Sequence, residues 1–260
     1  MKYAKKSLGQ NFLTDKNITR KITNTINIKN RNIIEIGPGH GALTDEIIKK
    51  DPKSLILIEK DISLSEQLKM KYFNNKKIKI FNTDILKYQI EDLKLNNYSI
   101  FGNLPYNISS QILVKFLKYK TWPPKFTDLI FMFQKELGEK IIAKYPSPHY
   151  GRLSILTSYR LSILNKFLIS PNCFFPKPKV ISQLIHFQPK KNKFNIKNIN
   201  NLEKITNILF SNKRKMINKN LIKILSREKI KMIHALKLNL RPQDIEPSIY
   251  YQITQLYEKK

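Results

Sequence analysis

Apolar residues fall in short bursts along the first two-thirds of the chain, at 33–36, 55–59, 78–81, 98–101 and 129–133. Each is too short for a helix and rich in Ile, Leu or Phe, so each is predicted to be a buried strand. Between them, at 42–50, 62–72, 109–119 and 135–143, apolar positions recur at helical spacing with polar residues on the other face. Strands alternating with amphipathic helices make βαβ units and a mostly parallel sheet covered on both sides. A helix at 14–26, capped by Thr14 or Asp15, precedes the first strand, and 152–158 reads as another helix. Strands near 161–169 and 180–187 complete a seven-stranded sheet as an antiparallel hairpin. After Pro189 the pattern changes: "KKNKFNIKNINN" is polar and basic, and 202–211, 213–225, 228–238 and 248–257 all carry the helical period. The expectation is an α/β domain over 1–189 and a small all-α domain over 190–260. No internal repeat is evident.

Charge sharpens this picture. Forty-eight Lys and Arg face nineteen Asp and Glu, a formal charge of +29 over 260 residues. A balance that basic suits a polyanion, either nucleic acid or an anionic membrane surface. Lys, Asn and Ile are all heavily used, so part of the charge reflects compositional bias. Cys173 is the sole cysteine, which excludes an internal disulfide and reads as a buried thiol. His40, His149, His186 and His234 lack metal-ligand spacing, so no metal is expected. No apolar run approaches a membrane span, and the start "MKYAKKSLGQNFL" has no apolar signal core. A cytoplasmic protein with no membrane partner is expected.

Candidate chemistry gathers where strands end. "EIGPGHGALT" (35–44) follows the first strand and opens a helix. Gly37, Gly39 and Gly41 allow a sharp turn and close backbone approach to a ligand, and the helix start beyond offers unpaired N–H groups. The glycines fall as GxGxG and not as the GxGxxG of dinucleotide sites, so the loop alone points to a ligand without naming it. Glu59 ends the second strand, twenty positions after Gly39, where a carboxylate can accept both hydroxyls of a ribose. NAD and S-adenosylmethionine both carry such a ribose. Asp84, in "FNTDIL" after the third strand, is placed to accept from an adenine amino group. Either acid alone reads equally as a helix cap or turn residue. Together with the glycines, at the carboxyl edge of a parallel sheet, they imply a nucleoside cofactor.

The fourth strand delivers "FGNLPYN" (101–107) to that same edge. Pro105 fixes its own φ and keeps Leu104 out of the helical region. An adenine amino group is a poor nucleophile because its lone pair is delocalised into the ring. The Asn103 side-chain oxygen and the Leu104 carbonyl can each accept one of its N–H groups, drawing the nitrogen toward tetrahedral shape, while Tyr106 stacks on the base. Rate then comes from orientation and electrostatic placement, with no strong general base. An NAD enzyme has no use for such a loop.

On these motifs the chain resembles the ribosomal RNA adenine dimethyltransferase family of the small subunit. The resemblance rests on "LGQNFL" (8–13), "EIGPGHGALT", "IEKD" (58–61), "GNLPYNIS" (102–109), "FMFQKE" (131–136), "YGRLS" (150–154), "FFPKPKV" (174–180) and "NKRKMINKNL" (212–221), which occur in family order over nearly the whole chain. It implies a class I, Rossmann-like methyltransferase fold, S-adenosylmethionine as cofactor and dimethylation of two adjacent adenosines near the 3′ end of 16S rRNA in the small subunit, with a role in subunit biogenesis. It further implies that Asn11, Leu13, Gly37, Glu59, Asp84 and Asn103 hold the cofactor. Asn103, Leu104 and Tyr106 would hold the target base, with Phe174 stacking opposite Tyr106 on a flipped adenine. Without the motif, Phe174 reads as core packing. Lys213, Arg214 and Lys215 fit a grip on the RNA backbone, and a monomer is expected. Where the family often has Asp-Ser after "PKV", this chain has Ile181-Ser182, which touches a local polar contact and not the chemistry. "YPSPH" (145–149) is assigned no role.

Three other readings stay open on the residues. Large-subunit adenine methyltransferases of the macrolide-resistance type usually carry Ile inside the loop, where this chain has Leu104 followed by Asn107-Ile108-Ser109. DNA adenine methyltransferases usually have two prolines before the aromatic. A non-catalytic RNA-binding assembly factor of the same fold would have no need of Glu59, Asp84 and Asn103 together.

Overall fold

The computed structural model describes residues 9–259; Leu8 of the arm motif and the residues before it lie outside them. A two-residue strand β1 (Phe12–Leu13) and helix α1 (Lys16–Thr23) open the chain. Asp15 caps α1 by accepting from the N–H groups of Asn17 at 2.8 Å and Ile18 at 3.1 Å. The helix is shorter at both ends than the 14–26 pattern predicts.

Every apolar burst is a strand. β2 (Asn32–Ile36), α2 (Ala42–Ile48), β3 (Ser54–Glu59), α3 (Ile62–Lys71), β4 (Ile78–Asn82), β5 (Tyr98–Asn103), α4 (Ser109–Leu117), β6 (Phe126–Gln134) and α5 (Lys135–Ile142) alternate as the period implies. After α6 (Arg152–Arg160) come β7 (Leu161–Ile169), β8 (Phe174–Phe175) and β9 (Ser182–Pro189). The main sheet has seven strands in the order β4-β3-β2-β5-β6-β9-β7. Pairing is parallel from β4 to β6 and antiparallel between β6 and β9. Ile33, Ile34, Leu55, Leu57, Ile100 and Phe101 are fully buried, as expected for strands covered on both faces. Strand order reverses between β2 and β5, which creates the switch point where such sheets bind ligands.

The last two strands, β7 and β9, are neighbours at the edge of the sheet as the hairpin expectation has it, but the connection between them is more than a turn. Between β7 and β9 the chain makes a 3-10 turn at Pro171–Cys173, then β8 leaves the sheet and pairs antiparallel with β1, Leu13 opposite Phe174. Pro176 and Pro178 lack the N–H groups a continuous strand would use, and β9 starts at Ser182 rather than 180.

Beyond β9 lie α7 (Ile199–Phe210), α8 (Asn218–Leu221), α9 (Arg227–Lys231) and α10 (Pro247–Glu258). The long helices predicted at 213–225 and 228–238 are therefore cut down. Residues 211–217 form turns: three successive cations stand at 213–215, and Asn220 donates to the Ile208 carbonyl at 3.1 Å, folding the chain back on the end of α7. Ser226 caps a fresh start for α9 by accepting from Lys229 N–H.

Packing divides the chain otherwise than a single cut at 189/190. One compact unit comprises the chain up to Lys115, Pro123–Gly138 and Ile163–Pro189; the other takes Phe116–Trp122, Glu139–Ser162 and everything from Lys190. The helical unit thus recruits segments from inside the expected α/β domain. Arg160 explains part of this: it donates to the carbonyls of Leu117 and Tyr119, both at 2.6 Å, and lies over the Trp122 ring. Trp122 in turn donates to the Lys190 carbonyl at 2.8 Å. Its core is α6, α7 and α10, with Leu202, Ile205, Leu209, Tyr250 and Ile253 fully buried. Glu258 closes it by accepting from the N–H groups of Lys197 and Asn198 at the start of α7.

Candidate active site

At the carboxyl ends of β2, β3, β4 and β5 lies a cleft walled by Asn11, Gly37, Gly39, Glu59, Asp84, Asn103, Leu104 and Tyr106, among others. Its empty space is about 870 Å³, open solvent at its mouth included. The ladder registers level the floor: Ile36 pairs with Ile58 and with Gly102, and Glu59 with Asn82. Residues one step beyond each strand therefore meet at one edge.

The glycine loop needs glycine at Gly39. Its φ is +58°, and a Cβ there would stand 2.7 Å from the Phe12 ring. Phe12 comes from the N-terminal arm, so the arm closes on the loop because no side chain intervenes. Gly41 begins α2 at φ +83° with the Tyr72 hydroxyl against it. Tyr72 donates to Asp45 at 2.7 Å, and Lys71 reaches both Asp45 and the His40 carbonyl. The end of α3 thereby pins the back of the loop.

Glu59 is nearly fully buried. One carboxylate oxygen accepts from Gly39 N–H at 3.2 Å and the other from Asp61 N–H at 2.9 Å. Burial raises its pKa above the ordinary glutamate value, and the backbone bonds oppose that rise. Asp84 differs. Burial pushes its carboxyl up, but Lys60 at 2.9 Å and the Leu86 N–H outweigh burial and hold it below the usual range. Lys60 and Gln10, which bonds Asp61 at 3.2 Å, also line the cleft. Sequence reasoning missed both, although Lys60 stands inside "IEKD".

Asn103 ends β5 with its amide nitrogen donating to the Asn11 carbonyl at 2.9 Å. That bond fixes the amide, and among the described residues no donor is paired with its oxygen, which is left to accept. Leu104 is buried and lines the cleft wall. The Tyr106 hydroxyl and the Ser182 Oγ lie 2.5 Å apart, and Ser182 is fully buried at the first position of β9. Burial raises the Tyr106 pKa while Ser182 lowers it, so the phenol keeps its proton. Ser182 was not read as a site residue; the signal was its place after "PKVI".

Other expectations part company with the structure. Phe174 does not face the cleft. It is 4% exposed in the hydrophobic core beside Leu13 and Cys173, and the exposed aromatic of "FFPKPKV" is Phe175 at 50%. Pairing with β1 sets this alternation, turning Phe174 inward. Leu13 is likewise a core residue, lining a small hollow behind the glycine loop with Glu35 and Pro38. Asn11 does line the cleft. Lys213, Arg214 and Lys215 are exposed in the turn after α7, in the helical unit, and no carboxylate pairs with them among the described residues.

With this geometry the chain was compared with known proteins. The family profile described as ribosomal RNA adenine dimethylase matches residues 1–259. Ribosomal RNA small subunit methyltransferase A of Pelagibacter ubique is 44% identical over 98% of this chain and 97% of its own. Its namesake from Malacoplasma penetrans is 38% identical over 96% and 91%. Among solved structures, a dimethyladenosine transferase from Plasmodium falciparum superposes with a TM-score of 0.79, at 23% identity, covering 93% of this chain and 95% of that one. The 23S rRNA methyltransferase ErmE gives 0.71 at 20% identity over 96% and 100%. These two likenesses speak to the fold. A profile match along the whole chain and relatives of such identity and coverage carry the assignment further: the chain belongs to the ribosomal RNA adenine dimethylase family.

Proposed function

We propose that this protein dimethylates the exocyclic amino groups of two adjacent adenosines near the 3′ end of the small-subunit rRNA, with S-adenosylmethionine as methyl donor. We take it to act as a cytoplasmic monomer in subunit biogenesis. The observation that carries the reading is Asn103: its amide is pinned through nitrogen, so its oxygen is left to accept in a cleft that Leu104 and Tyr106 also line. Two acceptors and an aromatic ring suit an amino group on a planar base.

The residues present fit the cofactor. Glu59 is a buried carboxylate whose bonds are to backbone N–H groups, leaving further lone pairs for a diol. Gly37 and Gly39 leave the cradle open where side chains would fill it. Glu59 would hold the ribose, Asp84 the adenine, and Asn11 and the glycine loop the amino-acid end. When bound, S-adenosylmethionine supplies an electrophilic methyl group. The protein's part is placement. Asn103 and Leu104 accept the two amino N–H groups of the target base and draw its nitrogen out of conjugation. Tyr106 holds the ring, Ser182 holds Tyr106, and the proton leaving the methylated nitrogen passes to solvent.

Among the described residues no helix is long and apolar enough to cross a membrane. The test is transfer of labelled methyl groups from S-adenosylmethionine to unmethylated small subunits, beside large-subunit RNA and duplex DNA. Label in small-subunit RNA, mapped to paired dimethyladenosines, is expected. Label confined to either other substrate would keep the chemistry and overturn the substrate.

A further inference from the structure

Helix α3 carries its apolar residues in an unusual place. Ile62, Met70 and Phe73 are 64%, 73% and 85% exposed. Spacings of eight and three residues put them along one side of the helix and the turn that follows. An aromatic ring that open to water contributes nothing to the fold by burial. Around it the sequence reads Lys69-Met70-Lys71-Tyr72-Phe73-Asn74-Asn75-Lys76-Lys77.

Met70, Phe73 and Lys76 line a broad groove together with Thr14, Lys16 and Glu46. Three carboxylates face this groove, and each is already neutralised. Asp45 pairs with Lys71 at 2.7 Å, Glu46 with Lys49 at 2.6 Å and Asp51 with Lys77 at 2.5 Å. Among the described residues no carboxylate pairs with Lys16 or Lys76, which line it. The surface is therefore a net-positive trough with a solvent-facing ring, the combination by which proteins hold single-stranded nucleic acid: cations on phosphates and an aromatic face on an unpaired base. Its near end lies at Thr14, two residues beyond Phe12 of the active cleft.

We propose that this groove is a second RNA-binding surface that seats a single-stranded segment, with Phe73 stacking on one base and Lys16 and Lys76 against its phosphates. The segment's identity as substrate rRNA rests on the function proposed above; the single-stranded chemistry does not.

The test compares the wild type with a Phe73→Ser, Lys16→Glu, Lys76→Glu variant, and with a Lys94→Glu, Lys125→Glu control that alters exposed lysines elsewhere on the same unit. Binding to polyuridylate and to unmethylated small subunits is measured against salt, with S-adenosylmethionine affinity and thermal melting as checks on the fold. The triple variant is expected to lose about tenfold or more in affinity for both RNAs. Its log-log salt slope should flatten by about 1.5, two phosphate contacts at roughly 0.7 each. Cofactor affinity should stay unchanged and the control should resemble the wild type. Equal polyuridylate binding by variant and wild type overturns the groove, as does an equal loss in the control. If the variant fails to melt cooperatively, Phe73→Ser alone is read in its place, with a threefold or greater loss on polyuridylate expected and no loss overturning the groove. Wild-type protein that holds polyuridylate through this groove yet leaves small subunits unlabelled would keep the groove and overturn the proposed function.

Discussion

Tyr106 and Ser182 show how one hydroxyl contact joins two elements beside the cleft. Tyr106 lies just past β5, while Ser182 starts β9, and their oxygens are 2.5 Å apart in a buried setting. Removing either hydroxyl frees the ring to turn and leaves the other group unpaired, at a cost of about 1–3 kcal/mol. Ser182→Ala is expected to lower kcat by about tenfold, roughly 1.4 kcal/mol of barrier, with the KM for S-adenosylmethionine unchanged. Tyr106→Phe should do the same, and the double variant should be no worse than either single one. Simple additivity in that cycle would show the two side chains to act independently. Glu59 belongs to the same scale. Glu59→Gln puts an amide N–H against a backbone N–H of Gly39 or Asp61, so calorimetry should find cofactor affinity reduced by tenfold or more. Because burial raises the Glu59 pKa, wild-type affinity should also fall as pH is lowered, starting at higher pH than for an ordinary glutamate, and in the Gln variant that pH dependence should vanish. An unaltered pH profile in the variant would remove Glu59 from the ribose site.

Between elements, the buried carboxyl that matters most is Glu35, at 2% exposure on β2. Thr44 of α2 donates to it at 2.7 Å, tying strand to helix across the glycine loop. Burial raises its pKa from the usual 4.5 to about 8, against the pull of Thr44. The folded protein therefore keeps a proton that the unfolded chain releases above about 4.5, and stability falls as pH rises from there to about 8. Glu35→Gln should abolish that fall, on the order of a few kcal/mol, and urea midpoints from pH 5 to pH 9 would show it as converging curves toward low pH. Parallel curves would mean Glu35 ionises normally. Asp128 acts in the opposite sense at the far end of the strands. Despite its burial, the bonds from His186, Gln188, Thr127 and Ser99 hold it well below the carboxylate range. Neither role was legible in the sequence, because each is decided by partners on other elements. What was legible followed from local pattern: strand bursts, the helical period between them, and the gathering of Gly37, Glu59, Asp84 and Asn103 at one cleft where strands end. Phe174 was misplaced because a pairing with Leu13, most of the sheet unit away in sequence, decides which way it faces. The helices at 213–225 and 228–238 were overcalled because the period continues through residues that Asn220 and Ser226 fold into turns.

For the whole molecule the open quantity is how much of the +29 charge meets RNA. A composition bias toward Lys adds cations everywhere, whereas phosphate contacts must be localised and must release counterions. Salt dependence separates the two, since only lysines and arginines lying on phosphates contribute to the slope of log K against log salt. Lys213, Arg214 and Lys215 give a sharp case. They are exposed, adjacent and without carboxylate partners among the described residues, and they stand in the helical unit, whereas every wall of the cofactor cleft belongs to the other unit. Changing all three to Ala should therefore leave S-adenosylmethionine affinity alone and weaken small-subunit binding. If all three lie on phosphates, the slope should shrink by about 2–3, at roughly 0.7–0.9 per contact. Weaker binding with an undiminished slope would mean the turn helps shape the helical unit without touching RNA. Unchanged binding and slope would assign these three cations to composition, and the search for the backbone grip would move to the lysines around Phe73.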